Sequence, residues 1–302
     1  MAGLYDRLAG LEVQVDELTF DRLEFETVRW VRVTTVVTIH GAGQRGQGED
    51  VSYATPDQDA HQRMDPPRLA GRRTLAEWSE VLDAANLIPV PPSVKEARDY
   101  RRWAYESALL DLALRQNGLS FARALGRDVK PVRFCVSPTG DPQRVLDLYP
   151  DMEIKIDAQT TWSADDMHRL AATDRVRVVD LKGHYSGDWN ALPDDPLAFS
   201  AAVASAFPEV IIEDPMLGSP MASFIAEHAA RVSFDAPVHS LADLLALPET
   251  GWCNIKPSRF ATTRRLLECI DHCERHAIRM YGGGQFELGP GRRQIQSIAA
   301  TL

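Results

Sequence analysis

Apolar and polar positions follow two different patterns along this chain. In the first part, Val28 to Ile39 is rich in β-branched residues and partly alternating, which predicts a strand. The glycine-rich polar segment Gly41 to Gly48, ending at Glu49, reads as a loop. Residues 50–73 are polar and contain proline, and read as a second loop. Helical spacing is predicted over 74–86 and strongly over 98–125. There Trp103, Ala104, Ala108, Leu109, Leu112, Ala113 and Leu125 line one stripe, and Gly118 and Gly126 break it. Strands followed by helices, without alternation, predict an α+β unit over residues 1–128.

From residue 129 to 302 short apolar runs recur with helical stretches between them. The runs are Val132–Val136, Met152–Ile156, Val176–Leu181, Val210–Ile212, Val232–Phe234, Trp252–Ile255 and Ile278–Tyr281. Strand–helix alternation is the mark of a parallel sheet, and this many strands in so short a stretch favours a (β/α) barrel of the TIM type over an open sheet. The chain ends at Leu302 in what reads as the helix after the seventh strand, so the last strand of a full barrel is expected to be missing.

Several of these runs finish in ionisable residues: Glu153-Ile-Lys155-Ile-Asp157, Val179-Asp180-Leu-Lys182, Ile212-Glu213-Asp214-Pro215, Phe234-Asp235-Ala-Pro and Asn254-Ile-Lys256-Pro257. One charge at one strand end means little. Recurrence on consecutive strands means more, because parallel barrel strands all end on one face, where barrel enzymes build their sites. Asp180, Glu213 and Asp235 would then converge. Converging carboxylates repel, and burying them costs several kcal/mol per ion unless positive charge sits between them. A hard divalent cation, Mg²⁺ above all, suits three such oxygens. Lys155 and Lys256 would flank it, and a lysine beside a cation has the depressed pKa that proton abstraction near neutrality needs.

The net charge of -10 argues against nucleic acid or an anionic membrane as the main partner. No run reaches the ~18 apolar residues of a membrane span, and no basic-then-apolar leader opens the chain, so a cytoplasmic location is expected. The four cysteines form no dense framework and read as reduced thiols. A homo-oligomer is compatible with the sequence, which does not fix the oligomeric state.

The order Lys, Asp, Glu, Asp, Lys on consecutive strands resembles the enolase superfamily, and most closely its muconate-lactonizing subgroup. Further motifs fall in the same order. Gly46-Gln-Gly48-Glu49 resembles the capping-domain Gly-x-Gly-Glu segment, and Ala104-Tyr-Glu106-Ser-Ala108-Leu109-Leu-Asp111 its Ala-x-Glu-x-Ala-Leu-x-Asp helix, closed by Leu125-Gly126. Glu213-Asp-Pro215, Asn254-Ile-Lys256-Pro257 and Gly282-Gly-Gly-Gln-Phe-Glu287-Leu-Gly289 resemble the fourth-, sixth- and seventh-strand motifs. The resemblance implies a modified (β/α) barrel behind an α+β capping domain. It implies Asp180, Glu213 and Asp235 as metal ligands, and Lys155 and Lys256 as an acid/base pair; Lys182, which the family does not supply, could be a third catalytic or substrate-carboxylate-binding group. It also implies Asp157, Glu287 and Glu49 near a small carboxylate substrate. The chemistry implied is abstraction of the proton α to a carboxylate, with the enediolate held on Mg²⁺, leading to elimination, cycloisomerisation or epimerisation. An acid-sugar dehydratase is the runner-up, and a non-catalytic relative is the alternative of another class.

The departures are specific. The family's second-strand Lys-x-Lys is here Glu153-x-Lys155-x-Asp157, which opens the identity of the base. Asp157-Ala-Gln-Thr-Thr-Trp162 resembles the family's Asp-Ala-Asn…Trp segment, so Asp157 competes with Asp180 as first ligand. Lys182 stands where the family commonly has Asn; alternation places it on the face of Asp180, where its ammonium could take the cation's place. Ala236 follows Asp235 where Glu is usual, and the seventh strand ends without His.

Other features carry less. Cys269-x-x-His272-Cys273-x-x-His276 suggests zinc, but ligands stacked along one helix cannot surround an ion. Gly41 to Gly48 has no Gly-Lys-Ser/Thr ending, and reads as a lid over the barrel mouth or a plain solvated loop. His184, Tyr185 and His239 read as bystanders.

Overall fold

The computed structural model describes residues 3–184 and 192–302. At the start, α1 (Asp6–Ala9) precedes β1 (Glu12–Val15), which pairs antiparallel with β5 (Gly71–Thr74). The strands β2 (Glu17–Glu26), β3 (Val31–Gly41) and β4 (Gln44–Asp50) form an antiparallel sheet with β3 at its centre. The helices α2 (Thr55–Arg63), α3 (Leu75–Ala84), α4 (Ala97–Gln116) and α5 (Phe121–Ala124) complete this unit. Thr74 starts α3 with a reciprocal capping box to Glu77, and Gly118 breaks the chain after α4 with φ +64.

Two expected loops turn out to be structure. The Gly41–Gly48 segment is no lid: it is the turn at Ala42–Gly43 and most of β4. Its glycines serve helix packing. A Cβ added at Gly48 would lie 2.0 Å from the Ala104 carbonyl oxygen, and one at Gly46 2.2 Å from that of Ala108, so only glycine lets β4 lie on α4. Within 50–73, α2 and β5 form although few apolar residues mark them. Tertiary hydrogen bonds hold α2: Gln58 bonds Thr35 and the Asp50 and Ser52 carbonyls.

Seven parallel strands follow in unbroken order: β6 (Cys135–Val136), β7 (Glu153–Asp157), β8 (Val176–Asp180), β9 (Ile211–Glu213), β10 (Val232–Phe234), β11 (Trp252–Ile255) and β12 (Arg279–Gly282). Between and after them run α6 (Pro142–Leu148), α7 (Ala164–Ala171), α8 (Pro196–Ala206), α9 (Ser219–Glu227), α10 (Leu241–Ala246), α11 (Thr263–Arg275) and α12 (Pro290–Ala299), with a 3₁₀ turn over Pro257–Phe260. The sheet curls as a partial barrel of the TIM type. Among the described residues β6 and β12 are its unpaired edges and no eighth strand closes it. Every apolar run read as a barrel strand contributes one. One strand face supplies the core against the helices, through Ile154, Ile156, Val179, Ile212, Val232, Phe234 and Ile255. The other face carries the charges.

Capping unit and barrel are tied by polar contacts. Both Glu49 oxygens accept backbone N–H groups, from Leu288 at 2.6 Å and from Gly289 and Gly291 at 2.9 and 3.0 Å. Arg32, fully buried, donates to the carbonyls of Val51, Ser52, Gln285 and Phe286. Glu106 on α4 accepts from Arg102, Ser79 and the Thr263 N–H at the start of α11.

Candidate active site

Strand register explains why the charges gather. Asp157 lies beside Asp180, and Asp180 beside Glu213, while Asp235 stands two residues beyond the Ser233 that neighbours Glu213. Paired residues on parallel strands point the same way and positions two apart share a face. Asp180, Glu213 and Asp235 are all fully buried at the C-terminal ends of three adjacent strands.

Positive groups meet each of them. The Lys155 ammonium bonds Glu213 and lies 3.1 Å from Asp180. Lys182 reaches Asp180 at 2.7 Å and Asp157 at 3.2 Å. Lys256 and Arg259 hold the two oxygens of Asp235 at 2.8 and 2.9 Å. Asn254 and Tyr281 donate to Glu213 Oε1 at 2.6 and 2.8 Å. Among the described residues, each of Asp157, Asp180, Glu213 and Asp235 thus meets at least one of the cationic groups Lys155, Lys182, Lys256 and Arg259. Burial drives the Lys155 pKa down and outweighs the Asp180 carboxylate, which raises it; the Lys256 charge adds to the lowering. Burial, then the charges of Asp235 and Asp180, push Asp214 up to about 7. Asp214 accepts the Asp235 and Ala236 N–H groups and so shapes the turn after β10.

The structure brings together Lys155, Asp180, Lys182, Glu213, Asp235 and Lys256, with Asp157 at the rim, its side chain 48% exposed. Burial separates the two competitors for first ligand, because Asp180 has none of that exposure. Lys182 reaches the cluster by a route alternation did not anticipate. The strand ends at Asp180, Lys182 takes φ +55, and its own N–H bonds the Asp180 carboxylate at 2.9 Å. Glu287 is buried beside Gln285, whose N–H it accepts, and burial raises its pKa. Glu49, expected to touch substrate, has both oxygens taken by three backbone amides. His239 pairs with Asp99, His184 packs edge-on against Phe234, and Tyr185 lies outside the described residues.

Sequence reasoning missed Arg259, Asn254 and Tyr281. Asn254 is two residues before Lys256 on one strand, so alternation could have put it on the same face. Arg259 lies in a 3₁₀ turn that no strand pattern marks.

As donors, Asp180, Glu213 and Asp235 suit a hard divalent cation: three oxygens, water-excluded, from adjacent strands. Their spacing is that of carboxylates holding ammonium groups. Among the described residues, the one set of three ligand-type atoms lying within 4.8 Å of one another is Cys253, Cys269 and Cys273. For an ion to enter, Lys155 and Lys182 must release Asp180.

Comparison with known proteins decides the relationship. Residues 6–124 match the N-terminal domain, and residues 128–302 the C-terminal domain, of the family described as "Domain of unknown function (DUF8230)". An N-succinylamino acid racemase of an Amycolatopsis species is 28% identical over 317 residues, spanning 97% of this chain and 83% of that protein. An o-succinylbenzoate synthase of Bacillus subtilis is 25% identical over 230 residues, spanning 70% of this chain and 59% of that protein. The chain belongs to the DUF8230 family, within the enolase superfamily.

The solved structures of this superfamily carry the same fold. A muconate cycloisomerase variant superposes with a TM-score of 0.71 at 17% identity, covering 96% of this chain and 85% of that one. A dipeptide epimerase from Methylococcus capsulatus complexed with Mg superposes with a TM-score of 0.69 at 20% identity, covering 96% and 86%. In this DUF8230 chain, no helix among the described residues is long and apolar enough to cross a membrane.

Proposed function

We propose that this protein is an enzyme that abstracts the proton α to the carboxylate of a small substrate, using Lys155 and Lys256 at the barrel mouth. One observation carries the reading: Asp180, Glu213 and Asp235 lie buried on three adjacent strands, flanked by Lys155 on β7 and Lys256 on β11. The racemase, synthase, cycloisomerase and epimerase relatives support proton-abstraction chemistry. Asp180, Glu213 and Asp235 would hold a divalent cation, Mg²⁺. When bound, it supplies charge that offsets the second negative charge a carboxylate acquires on losing its α-proton.

The chain's own groups do the rest. Burial lowers the Lys155 pKa, which favours the neutral amine that takes the proton. Lys256, approaching from the opposite strand, returns a proton on the other face or delivers one to a leaving group. The first route gives racemisation or epimerisation and the second elimination. Tyr281 and Asn254 hold Glu213 in place. Small carboxylates of the N-succinylamino acid and dipeptide kind are the substrates to try first, because relatives bear those names.

The test is deuterium wash-in at the α-carbon of such a panel in D₂O, followed by proton NMR with and without Mg²⁺. Exchange that disappears in Lys155→Ala and Lys256→Ala is the expected result. A second reading, a non-catalytic relative that binds a ligand at the mouth, draws on the Lys182 ammonium seated on Asp180. It wins if no carboxylate in the panel exchanges while the protein still binds one of them.

A further inference from the structure

The sequence pairing of Cys269 and Cys273 with His272 and His276 does not survive folding. The two histidines stack on each other at the solvent side of α11, with ring centroids 4.0 Å apart. The two cysteines turn inward, one helical turn apart on the same stripe, and are fully buried. What they meet is Cys253, also fully buried. It is carried by β11 on the face opposite Asn254 and Lys256, the face that packs on the helices. The three Sγ atoms lie within 4.8 Å of one another.

We infer that Cys253, Cys269 and Cys273 form a three-sulfur site for one soft, thiophilic metal ion, separate from the oxygen cluster at the barrel mouth. Thiolate bonds of about 2.3 Å place three sulfurs around one ion about 4 Å apart, so the cluster closes on an ion with small side-chain shifts. Sulfur selects zinc-like and softer ions, whereas the carboxylates on the other face of the sheet select hard ones.

The site is dry, and a dry site tolerates little net charge. A divalent ion therefore displaces two of the three thiol protons and leaves a neutral assembly of two thiolates, one thiol and the ion, with two protons released to solvent. No electron changes hands. Cross-linking β11 to α11 this way fixes the strand whose next residue, Asn254, donates to Glu213.

Cd²⁺ is the probe, because sulfur–cadmium charge transfer absorbs in the ultraviolet where oxygen ligands do not. The starting protein is the reduced Cys135→Ser variant, since Cys135 is exposed and would bind the probe itself. One portion is incubated folded until absorbance is constant and another is refolded with Cd²⁺, both with excess Mg²⁺ to occupy oxygen sites. The expected result is one Cd²⁺ per chain, two protons released per ion, a raised melting temperature, and displacement by Zn²⁺. Each of Cys253→Ala, Cys269→Ala and Cys273→Ala should weaken binding at least about tenfold, the loss that even an outer-sphere partner causes. No charge-transfer band in either portion overturns the inference, as does a band of unchanged strength in folded Cys273→Ala. If an alanine variant fails to fold, stoichiometry and proton count on the parent decide alone. Substrate turnover plays no part in this readout, so it stands or falls apart from the proposed reaction.

Discussion

Two regions of this molecule bury ionised groups, and they satisfy them in opposite ways. In the capping unit, Asp50 is wholly buried and accepts from Arg101 at 2.8 Å and from the Ser52 hydroxyl and N–H. Burial alone would raise its pKa, yet His61 and Arg101 hold it well below the usual carboxylate range. Arg101 also donates through Nη2 to the Asp57 carbonyl, and Glu49 and Arg32 are likewise anchored on backbone groups. These partners cannot move without unfolding the chain. At the barrel mouth the partners include three lysines on flexible stems, with side chains of Lys155 and Lys182 still 17% exposed. A buried charge whose partners are backbone groups or fully buried side chains is architecture. A buried charge held by ammonium groups beside an opening can exchange its partner for a substrate or an ion, and this difference separates scaffold from site.

The comparison breaks most visibly at Asp50. Asp50→Ala strands Arg101 as a buried, uncompensated cation, so unfolding stability should fall by about 3–5 kcal/mol in urea titration. Lys256→Ala at the mouth should behave in reverse. Arg259 remains on Asp235, so folding is largely kept while α-proton exchange falls about 10²- to 10³-fold by proton NMR. An unchanged exchange rate in that variant would remove Lys256 from the chemistry.

Smaller effects sharpen the contrast. Gly48→Ala forces a Cβ against the Ala104 carbonyl and should cost about 1–3 kcal/mol in thermal or urea unfolding. His61 supplies the pH test. Its ring is buried, with Nδ1 2.9 Å from Asp50 and Nε2 2.9 Å from the Tyr105 hydroxyl, and burial lowers its pKa. A histidine depressed in the folded state binds protons more readily when unfolded. Its contribution to stability is therefore complete above about pH 6.5 and is lost as pH falls below that value. Urea midpoints of wild type should drop as pH falls below about 6.5, and His61→Gln should flatten that slope. Lys182→Asn releases Asp180 from one ammonium and should tighten Mg²⁺ binding about tenfold by calorimetry, the scale of one neighbouring-partner change at a metal site. Weaker binding in that variant would mean that Lys182 assists the ion rather than competes with it.

Legibility in the sequence followed the same division. Barrel strands showed themselves because each buries one face in a short apolar run, several of which end in a charge, and Asp180, Glu213, Asp235, Lys155 and Lys256 were found that way. Gly46 and Gly48 misled, because glycine marks a loop and a close helix contact alike, and only the partner α4 tells them apart. Residues 55–63 formed a helix through contacts to Thr35 and Asp50 far away in sequence, which no local pattern carries. Arg259 and the meeting of Cys253 with Cys269 and Cys273 depend on how β11 and α11 pack, which periodicity on either element alone does not contain.

The most direct test is a calorimetric titration of Mg²⁺ into wild-type protein and Glu213→Gln. One ion per chain binding to wild type, and weakened at least tenfold in the variant, is the predicted outcome. Equal binding to both proteins, or none to either, would contradict the convergence of the three carboxylates on one exchangeable positive centre.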